Sequence, residues 1–248
     1  MADLGGSNML NVDLHTHTLF SQCGLHTHIE ILERARELGI GAVAITDHGP
    51  AVGARVTGPF FDRLGQPVAG VRLLKGMECN LEGALGEIDV PKRYLRYLDV
   101  VLLGIHYNTP ADLGQTAYTE MLVAAIESNP FVDIVTHPND RIYPVDFEAV
   151  ARAAHKIGAA VELNNSKTAL RRAPDDVTRH LVHAVKDSGC RIVVTSDTHA
   201  LNELGQDEAV RGFLEEVDFP TSRVVSHSLE RALAFVEERR HLKVDAGG

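Results

Sequence analysis

Short apolar runs alternate with longer amphipathic stretches along most of the chain. The short runs are rich in valine, isoleucine and leucine and are mostly continuous, which is typical of strands buried on both faces. Seven of them stand out, at residues 11–14, 41–46, 71–77, 99–105, 131–136, 159–164 and 191–196. This pattern predicts seven strands of a largely parallel sheet.

Helical periodicity occupies several of the intervals between the predicted strands. It is clearest at residues 28–39, 145–158, 175–189 and 228–240. Gly39 and Gly158 are expected to end the first two helices, and Asp146 is expected to cap the second. Alternating strands and helices indicate either a closed barrel or an open doubly wound sheet with right-handed crossovers. No glycine-rich nucleotide-binding signature follows the first strand, which weakens the open-sheet alternative.

Length and composition fit one large α/β domain. The chain has 248 residues, and 44% of them are apolar, enough for a substantial core. We place an N-terminal extension at residues 1–10, the domain at 11–240 and a short C-terminal tail at 241–248. The formal net charge of −10 and the lack of a basic track argue against a nucleic-acid partner.

The cysteine content and the length of the apolar runs indicate the cellular compartment. The three cysteines, Cys23, Cys79 and Cys190, are too few for a disulfide framework, which favours a reducing compartment. No apolar run approaches the roughly 18 residues of a membrane span, and the N-terminus lacks the features of a secretory signal. These features predict a cytoplasmic protein without a membrane partner.

Polar, metal-binding side chains follow six of the seven predicted strands. They are His15 and His17, Asp47 and His48, Glu78, His106, His137, and Asp197 and His199, while the sixth strand instead ends in Asn164 and Asn165. Because the carboxyl ends of parallel strands meet at one rim, we expect these side chains to lie close together.

Imidazoles and carboxylates gathered at one rim indicate a metal site. Buried without partners, such groups would cost several kcal/mol, and divalent ions would offset that cost. Neutral imidazole suits zinc and iron, and a carboxylate can bridge two ions. His15 and His17 are two residues apart, so in an extended segment both rings point to the same side. One such pair is a weak signal, but its recurrence at successive strand ends is a strong one.

The same residues lie in motifs that resemble those of the PHP (polymerase and histidinol phosphatase) family. In chain order the motifs are DLHTHT, AITDHGP, KGMECN, LLGIHY, VTHPND, VELNNS and VTSDTHA. The resemblance covers residues 11–240 and is greatest to the small stand-alone YcdX-like phosphatase branch. It implies a distorted, TIM-like (β/α)7 barrel and a trinuclear centre of zinc, manganese or iron. It also implies hydrolysis of a small phosphomonoester by metal-bound hydroxide.

Carried over position by position, the resemblance implies three sets of metal ligands. They are His15, His17, Glu78 and Asp197 for the first ion, Glu78, His106 and His137 for the second, and His48, His199 and Cys23 for the third. Cys23 stands where the YcdX-like branch has a histidine, so His26 is an alternative ligand, and a weak third site is a further alternative. Glu78, Asp197 and His199 are the expected catalytic residues.

Arginines near the predicted rim are candidates for binding the substrate phosphate. They are Arg55, in the long loop after the second strand, and Arg171 and Arg172 after the sixth. The resemblance leaves three alternatives to a general phosphatase: a histidinol-phosphate phosphatase, a 3′–5′ exonuclease and a metal-binding scaffold without catalysis. It also allows a homo-oligomer.

Overall fold

Seven parallel strands form the centre of the molecule. The computed structural model describes residues 10–65 and 68–247, so most of the predicted extension at 1–10 lies outside the described residues. The strands are β1 (Val12–Thr16), β2 (Ala42–Ile45), β3 (Arg72–Asn80), β4 (Val100–Gly104), β5 (Ile134–Val135), β6 (Ala160–Asn164) and β7 (Arg191–Thr195). They pair in chain order, and a parallel bridge between Thr16 and Thr198 links the first strand to the segment after the last. The predicted distorted barrel is therefore confirmed.

Helices lie between the strands. They are α1 (His28–Leu38), α2 (Gly58–Arg63), α3 (Lys92–Leu95), α4 (Gln115–Ser128), α5 (Phe147–Ile157), α6 (Asn165–Ala169), α7 (Asp175–Asp187), α8 (Arg211–Glu216) and α9 (Leu229–Ala246). Short 3₁₀ turns occur at Leu19–Ser21, Pro50–Val52, Thr221–Arg223 and Val225–His227. Within the described ranges, none of the helices combines the length and apolar character needed to cross a bilayer.

The predicted ends of α1 and α5 follow local hydrogen bonding. The Asp146 side chain accepts a hydrogen bond from the Ala149 N–H at 2.8 Å and caps α5. Gly39 and Gly158 end the two helices with φ of 76° and 74°, the left-handed region in which glycine is the least strained residue. α9 continues to Ala246, beyond the predicted end at 240, so much of the predicted tail is helical.

The barrel interior below the mouth is filled by apolar side chains. The cluster contains Val12, Leu14, Ala42, Ala44, Leu74, Val100, Leu102, Ile134, Ala160 and Val193 from the strands, with Val225, Ala232, Phe235 and Val236 from the C-terminal segment. The barrel is thus a packed core rather than a pore, and polar chemistry is confined to its carboxyl end.

A buried ion cluster fastens α9 to the barrel. Asp133, just before β5, accepts hydrogen bonds from Arg239 Nε at 2.8 Å and Lys243 Nζ at 2.8 and 3.0 Å. All three side chains are buried. Arg239 and Lys243, in the last two turns of α9, are therefore part of the domain core.

An irregularity in β1 directs His15 toward the mouth. Neighbouring residues of a regular strand point to opposite faces, yet Leu14 belongs to the interior cluster while His15 reaches Glu78. The pairing register with β2 shifts between Asp13 and Thr16. Such bulges re-aim side chains at the rims of barrels, and this one places both residues on the inside.

Candidate metal centre

Glu78, at the carboxyl end of β3, lies at the centre of the strand-end histidines. Its Oε1 atom is 3.1 Å from His106 Nε2 and 2.9 Å from His137 Nε2. Its Oε2 atom faces three more rings, at 3.2 Å for His15 Nε2, 3.3 Å for His17 Nε2 and 3.0 Å for His48 Nδ1. Five strand-end imidazoles therefore converge on one buried carboxylate.

Asp197 approaches the same cluster from the end of β7. Its Oδ1 atom lies 3.4 Å from His15 Nε2, 3.3 Å from His17 Nε2 and 3.6 Å from His199 Nδ1. Asp197 has a φ of 55°, a left-handed conformation that non-glycine residues seldom adopt. Backbone strain of this kind costs about 1–3 kcal/mol and is concentrated at functional sites.

Three groups of side chains place their ligand atoms within 4.8 Å of one another. They are His17, Cys23, His48 and His199; His15, His17 and Glu78; and His48, Glu78 and His106. Cys23 therefore lies where the resemblance places it, beside His48 and His199. His26 belongs to none of these groups within the described part of the chain.

The donor geometry fits a metal ion better than a hydrogen-bonded core. His15 Nε2, His17 Nε2 and Glu78 Oε2 form a triangle with sides of 3.0, 3.2 and 3.3 Å. Tetrahedral ligands of zinc, each about 2.0–2.1 Å from the ion, would lie roughly 3.3 Å apart. His48 Nδ1 is 3.0 Å from Glu78 Oε2 but makes no hydrogen bond. Imidazole, carboxylate and thiolate donors suit zinc, with iron and manganese as alternatives.

Gly104, at the end of β4, leaves the space that two of these rings occupy. A Cβ atom there would lie 2.8 Å from His106 Cε1 and 3.0 Å from His137 Cε1, and would also collide with the Thr136 hydroxyl. The strand therefore requires glycine at this position for the histidines to reach Glu78.

Glu162 holds His15 from behind and was missed by the sequence analysis. Its Oε1 atom lies 2.6 Å from His15 Nδ1, and its Oε2 atom accepts the His137 N–H at 2.7 Å. Thr195 and Asn164 donate to the same carboxylate. The feature that could have identified it is its position: Glu162 is an acidic residue inside an otherwise apolar strand, two residues before Asn164.

Replacing Glu162 with glutamine should weaken metal binding about 10- to 100-fold, because carboxylates behind a ligating histidine fix its tautomer and raise its basicity. Competition with a metal chelator, followed by elemental analysis, measures the change. Glu148→Gln, at an exposed residue paired with His180, serves as the control. Unchanged metal affinity in Glu162→Gln would show that this carboxylate has only a packing role.

Asp47 organises the loop after β1 rather than facing the centre directly. It accepts hydrogen bonds from Thr18 and from the Ser21 hydroxyl, the latter at 2.6 Å. Ser21 Oγ in turn lies 3.0 Å from His17 Nδ1 and accepts the His48 N–H at 3.0 Å. Two candidate ligands are thereby oriented through one buried hydroxyl.

Four of the candidate ligands are in protonation states that favour metal binding. Burial lowers the pKa of His106 to about 3 and also lowers the pKa of His48 and His199, so these rings are neutral at pH 7. Burial opposes ionisation of Glu78, but the surrounding His15, His106 and His48 outweigh it and hold its pKa well below the usual value. These neutral imidazoles and the ionised carboxylate are in the protonation states that metal ligands require.

Three other candidate ligands hold their protons. Burial opposes protonation of His15 and His17, but the neighbouring carboxylates, Glu78 and Asp197 among them, outweigh it and raise the pKa of both rings. Burial raises the pKa of the Cys23 thiol to about 11. Metal binding at these three residues would therefore release protons.

The three predicted phosphate-binding arginines do not contact the centre. Among the described residues, none of them makes a hydrogen bond or ion pair with a strand-end candidate. Arg172 pairs with Asp140 at 2.8 Å, while Arg55 and Arg171 are exposed. The cation that does approach is Lys167, in α6, whose Nζ lies 3.4 Å from Asp197 Oδ2.

Other predicted polar residues have structural roles. Asn164 caps α6 by accepting the Lys167 N–H at 2.9 Å, and the Asn165 side chain accepts the Ala209 N–H at 2.9 Å. Cys79 and Cys190 are buried free thiols.

Comparison with known proteins agrees with this geometry. A family model described as the PHP domain matches residues 13–166. A probable phosphatase from Shewanella halifaxensis is 36% identical over 241 residues, covering 94% of this chain and 95% of the relative. Another probable phosphatase, from Caldanaerobacter subterraneus subsp. tengcongensis, is 35% identical and covers 93% of this chain and 92% of its own length.

Solved structures share the fold at low sequence identity. Histidinol phosphate phosphatase from Lactococcus lactis, in complex with zinc, L-histidinol and phosphate, has a TM-score of 0.58 at 14% identity, covering 92% of this chain and 93% of its own. A chain of archaeal ribonuclease P with mature tRNA has a TM-score of 0.59 at 16% identity, covering 93% of this chain and 92% of its own. Because the family match spans more than half of the residues and the curated relatives align over nearly all of them, the chain belongs to the PHP domain family.

Proposed function

We propose that this protein is a metal-dependent phosphatase that hydrolyses small phosphomonoesters at a three-ion centre in the barrel mouth. The observation that carries the proposal is the convergence of five imidazoles within 3.3 Å of the Glu78 carboxylate. The probable phosphatases that align with nearly the whole chain support the same chemistry.

The proposed ligand sets divide the cluster among three ions. They are His15, His17, Glu78 and Asp197 for the first, Glu78, His106 and His137 for the second, and Cys23, His48 and His199 for the third. His199 Nδ1 lies 2.9 Å from the Asp197 carbonyl oxygen, which leaves Nε2 as its ligand atom. Zinc is the ion that this donor set fits best, with manganese or iron as alternatives.

Divalent ions in this centre would supply Lewis acidity, neutralising phosphoryl charge and activating water for attack on phosphorus. The protein residues contribute position and electrostatics. Glu78 belongs to both the first and the second proposed ligand set and so fixes their relative position. Glu162 and Ser21 orient the rings of His15 and His17. His199, with 29% of its side chain exposed, and the exposed Cys23 lie at the rim, where a substrate can reach them.

Substrate and metal dependence can be tested together. Metal-free protein reloaded separately with zinc, manganese or iron is assayed on p-nitrophenyl phosphate, sugar phosphates, histidinol phosphate, a phosphodiester and single-stranded DNA. We expect hydrolysis of phosphomonoesters only after reloading. Turnover that is independent of metal, or confined to DNA, would contradict the proposal, and bound metal without any hydrolysis would favour a scaffold role. A cytoplasmic location and homo-oligomerisation stay predictions.

Cys23 gives the third site a spectroscopic signature. In cobalt-substituted protein, a thiolate ligand produces strong near-ultraviolet charge-transfer absorption that imidazole and carboxylate ligands lack. We expect Cys23→Ser to abolish this band and to lower the metal content by one ion per chain. Cys190→Ala, at a buried thiol outside the three ligand groups, should keep both. Retention of the band and of all bound metal in Cys23→Ser would exclude Cys23 as a ligand and direct attention to His26.

A further inference from the structure

Lys167 is a buried cation at the barrel mouth to which the proposed metal centre assigns no role. Its side chain is only 13% exposed, and its Nζ atom lies 3.4 Å from Asp197 Oδ2. Within the described part of the chain, this ion pair is the one polar contact of the ammonium group, and it lacks hydrogen-bond geometry. An ammonium group has three N–H donors, so Lys167 retains donors for a ligand.

Asp197 separates Lys167 from the metal-binding histidines. Its Oδ1 atom faces His15 and His17, whereas its Oδ2 atom faces Lys167 and accepts the Asn164 Nδ2–H at 3.1 Å. Asn164 also accepts the Lys167 backbone N–H at 2.9 Å. The same asparagine thus fixes the carboxylate and the start of the helix turn that carries the lysine.

Nearby cations are less suited to a ligand at the mouth. The Arg172 guanidinium is bound to the Asp140 carboxylate at 2.8 Å, and Asp140 Oδ1 also accepts the Ile142 N–H. Arg171 is exposed and makes no side-chain contact with the described residues of the centre. Among these three cations, Lys167 alone forms an ion pair with a proposed metal ligand.

We propose that the Lys167 ammonium binds a non-bridging oxygen of the substrate phosphoryl group and thereby favours dianionic phosphomonoesters over phosphodiesters. The inference rests on the proposed phosphatase function and refines its substrate class. Ions on one side of Asp197 and a fixed positive charge on the other would contact different oxygens of the same phosphoryl group. A monoester carries one more negative charge than a diester, so the added cation benefits the monoester more.

The test compares Lys167→Met and Lys167→Arg with Lys156→Met, a matched control at an exposed lysine that is paired with Glu127. Affinity for inorganic phosphate is measured by calorimetry on metal-loaded protein, beside elemental analysis. KM and kcat for p-nitrophenyl phosphate and for bis(p-nitrophenyl) phosphate complete the comparison. We expect Lys167→Met to lose roughly 10- to 100-fold in phosphate affinity, the range for hydrogen bonds to charged groups.

The metal content of Lys167→Met should equal that of the wild type, and Lys167→Arg should recover part of the phosphate affinity. Monoester hydrolysis should fall more than diester hydrolysis. Unchanged phosphate affinity in Lys167→Met would overturn the inference, and so would loss of metal, since the lysine would then act through Asp197. If wild-type protein binds metal but neither binds phosphate nor hydrolyses esters, the proposed function itself fails, which is a separate outcome.

Discussion

Replacing Glu78 with alanine is expected to remove bound metal and phosphoester hydrolysis together. One oxygen of this carboxylate faces His106 and His137, and the other faces three further rings, so its loss disrupts two proposed ion sites at once. We expect activity to fall by on the order of 10³-fold or more, because groups that act as a unit fail together. Elemental analysis and p-nitrophenyl phosphate hydrolysis measure the two effects on the same sample.

Glu82→Ala is the matched control, since Glu82 is an exposed carboxylate only four residues along the chain. It should retain metal and turnover at wild-type levels. Circular dichroism of Glu78→Ala establishes that the barrel remains folded. Full metal content with full activity in Glu78→Ala would contradict the bridging assignment.

Replacing Asp133 with asparagine is expected to destabilise the fold by about 3–5 kcal/mol, because it leaves Arg239 and Lys243 as buried charges without a counter-ion. For a chain of this size the loss corresponds to a decrease in Tm of roughly 5–20 °C. Thermal and urea unfolding followed by circular dichroism measure it. Asp133 precedes β5 and so lies at the opposite end of the strands from the metal-binding histidines, and the metal content of the folded variant should not change.

Two further variants test whether the loss of stability is specific to buried ion pairs. Glu127→Gln breaks the exposed pair with Lys156 and should change stability by no more than about 0.5 kcal/mol. Adding Lys243→Met to Asp133→Asn removes one of the stranded cations and should recover part of the loss. A free energy of unfolding for Asp133→Asn within about 0.5 kcal/mol of wild type would show that these charges are solvated or compensated elsewhere.

The sequence predicted the parallel strands and the position of the centre because both follow from short-range patterns. Continuous apolar runs mark strands buried on both faces, and a polar residue directly after such a run must lie at the rim. Glu78, His106 and His137 illustrate this, since each directly follows a predicted apolar run and both rings lie within 3.1 Å of the Glu78 carboxylate. The motif resemblance then supplied the closed barrel and the grouping of ligands.

What the sequence did not reveal depends on contacts between distant segments. Glu162 stands among apolar residues of β6, and its role appears only when β1 brings His15 to within 2.6 Å. Lys167 was passed over in favour of three arginines because side-chain direction within a one-turn helix cannot be read from composition. The continuation of α9 past residue 240 likewise depends on Asp133, more than 100 positions away, which binds Lys243.

The account depends on divalent ions binding between Glu78, Asp197 and the surrounding imidazoles, and elemental analysis of the purified protein tests this most directly. We predict bound transition metal, up to three ions per chain, that is removed by chelators together with phosphomonoester hydrolysis and restored with it. Protein that contains no such metal as purified, takes up none on reloading and still hydrolyses phosphomonoesters would contradict it.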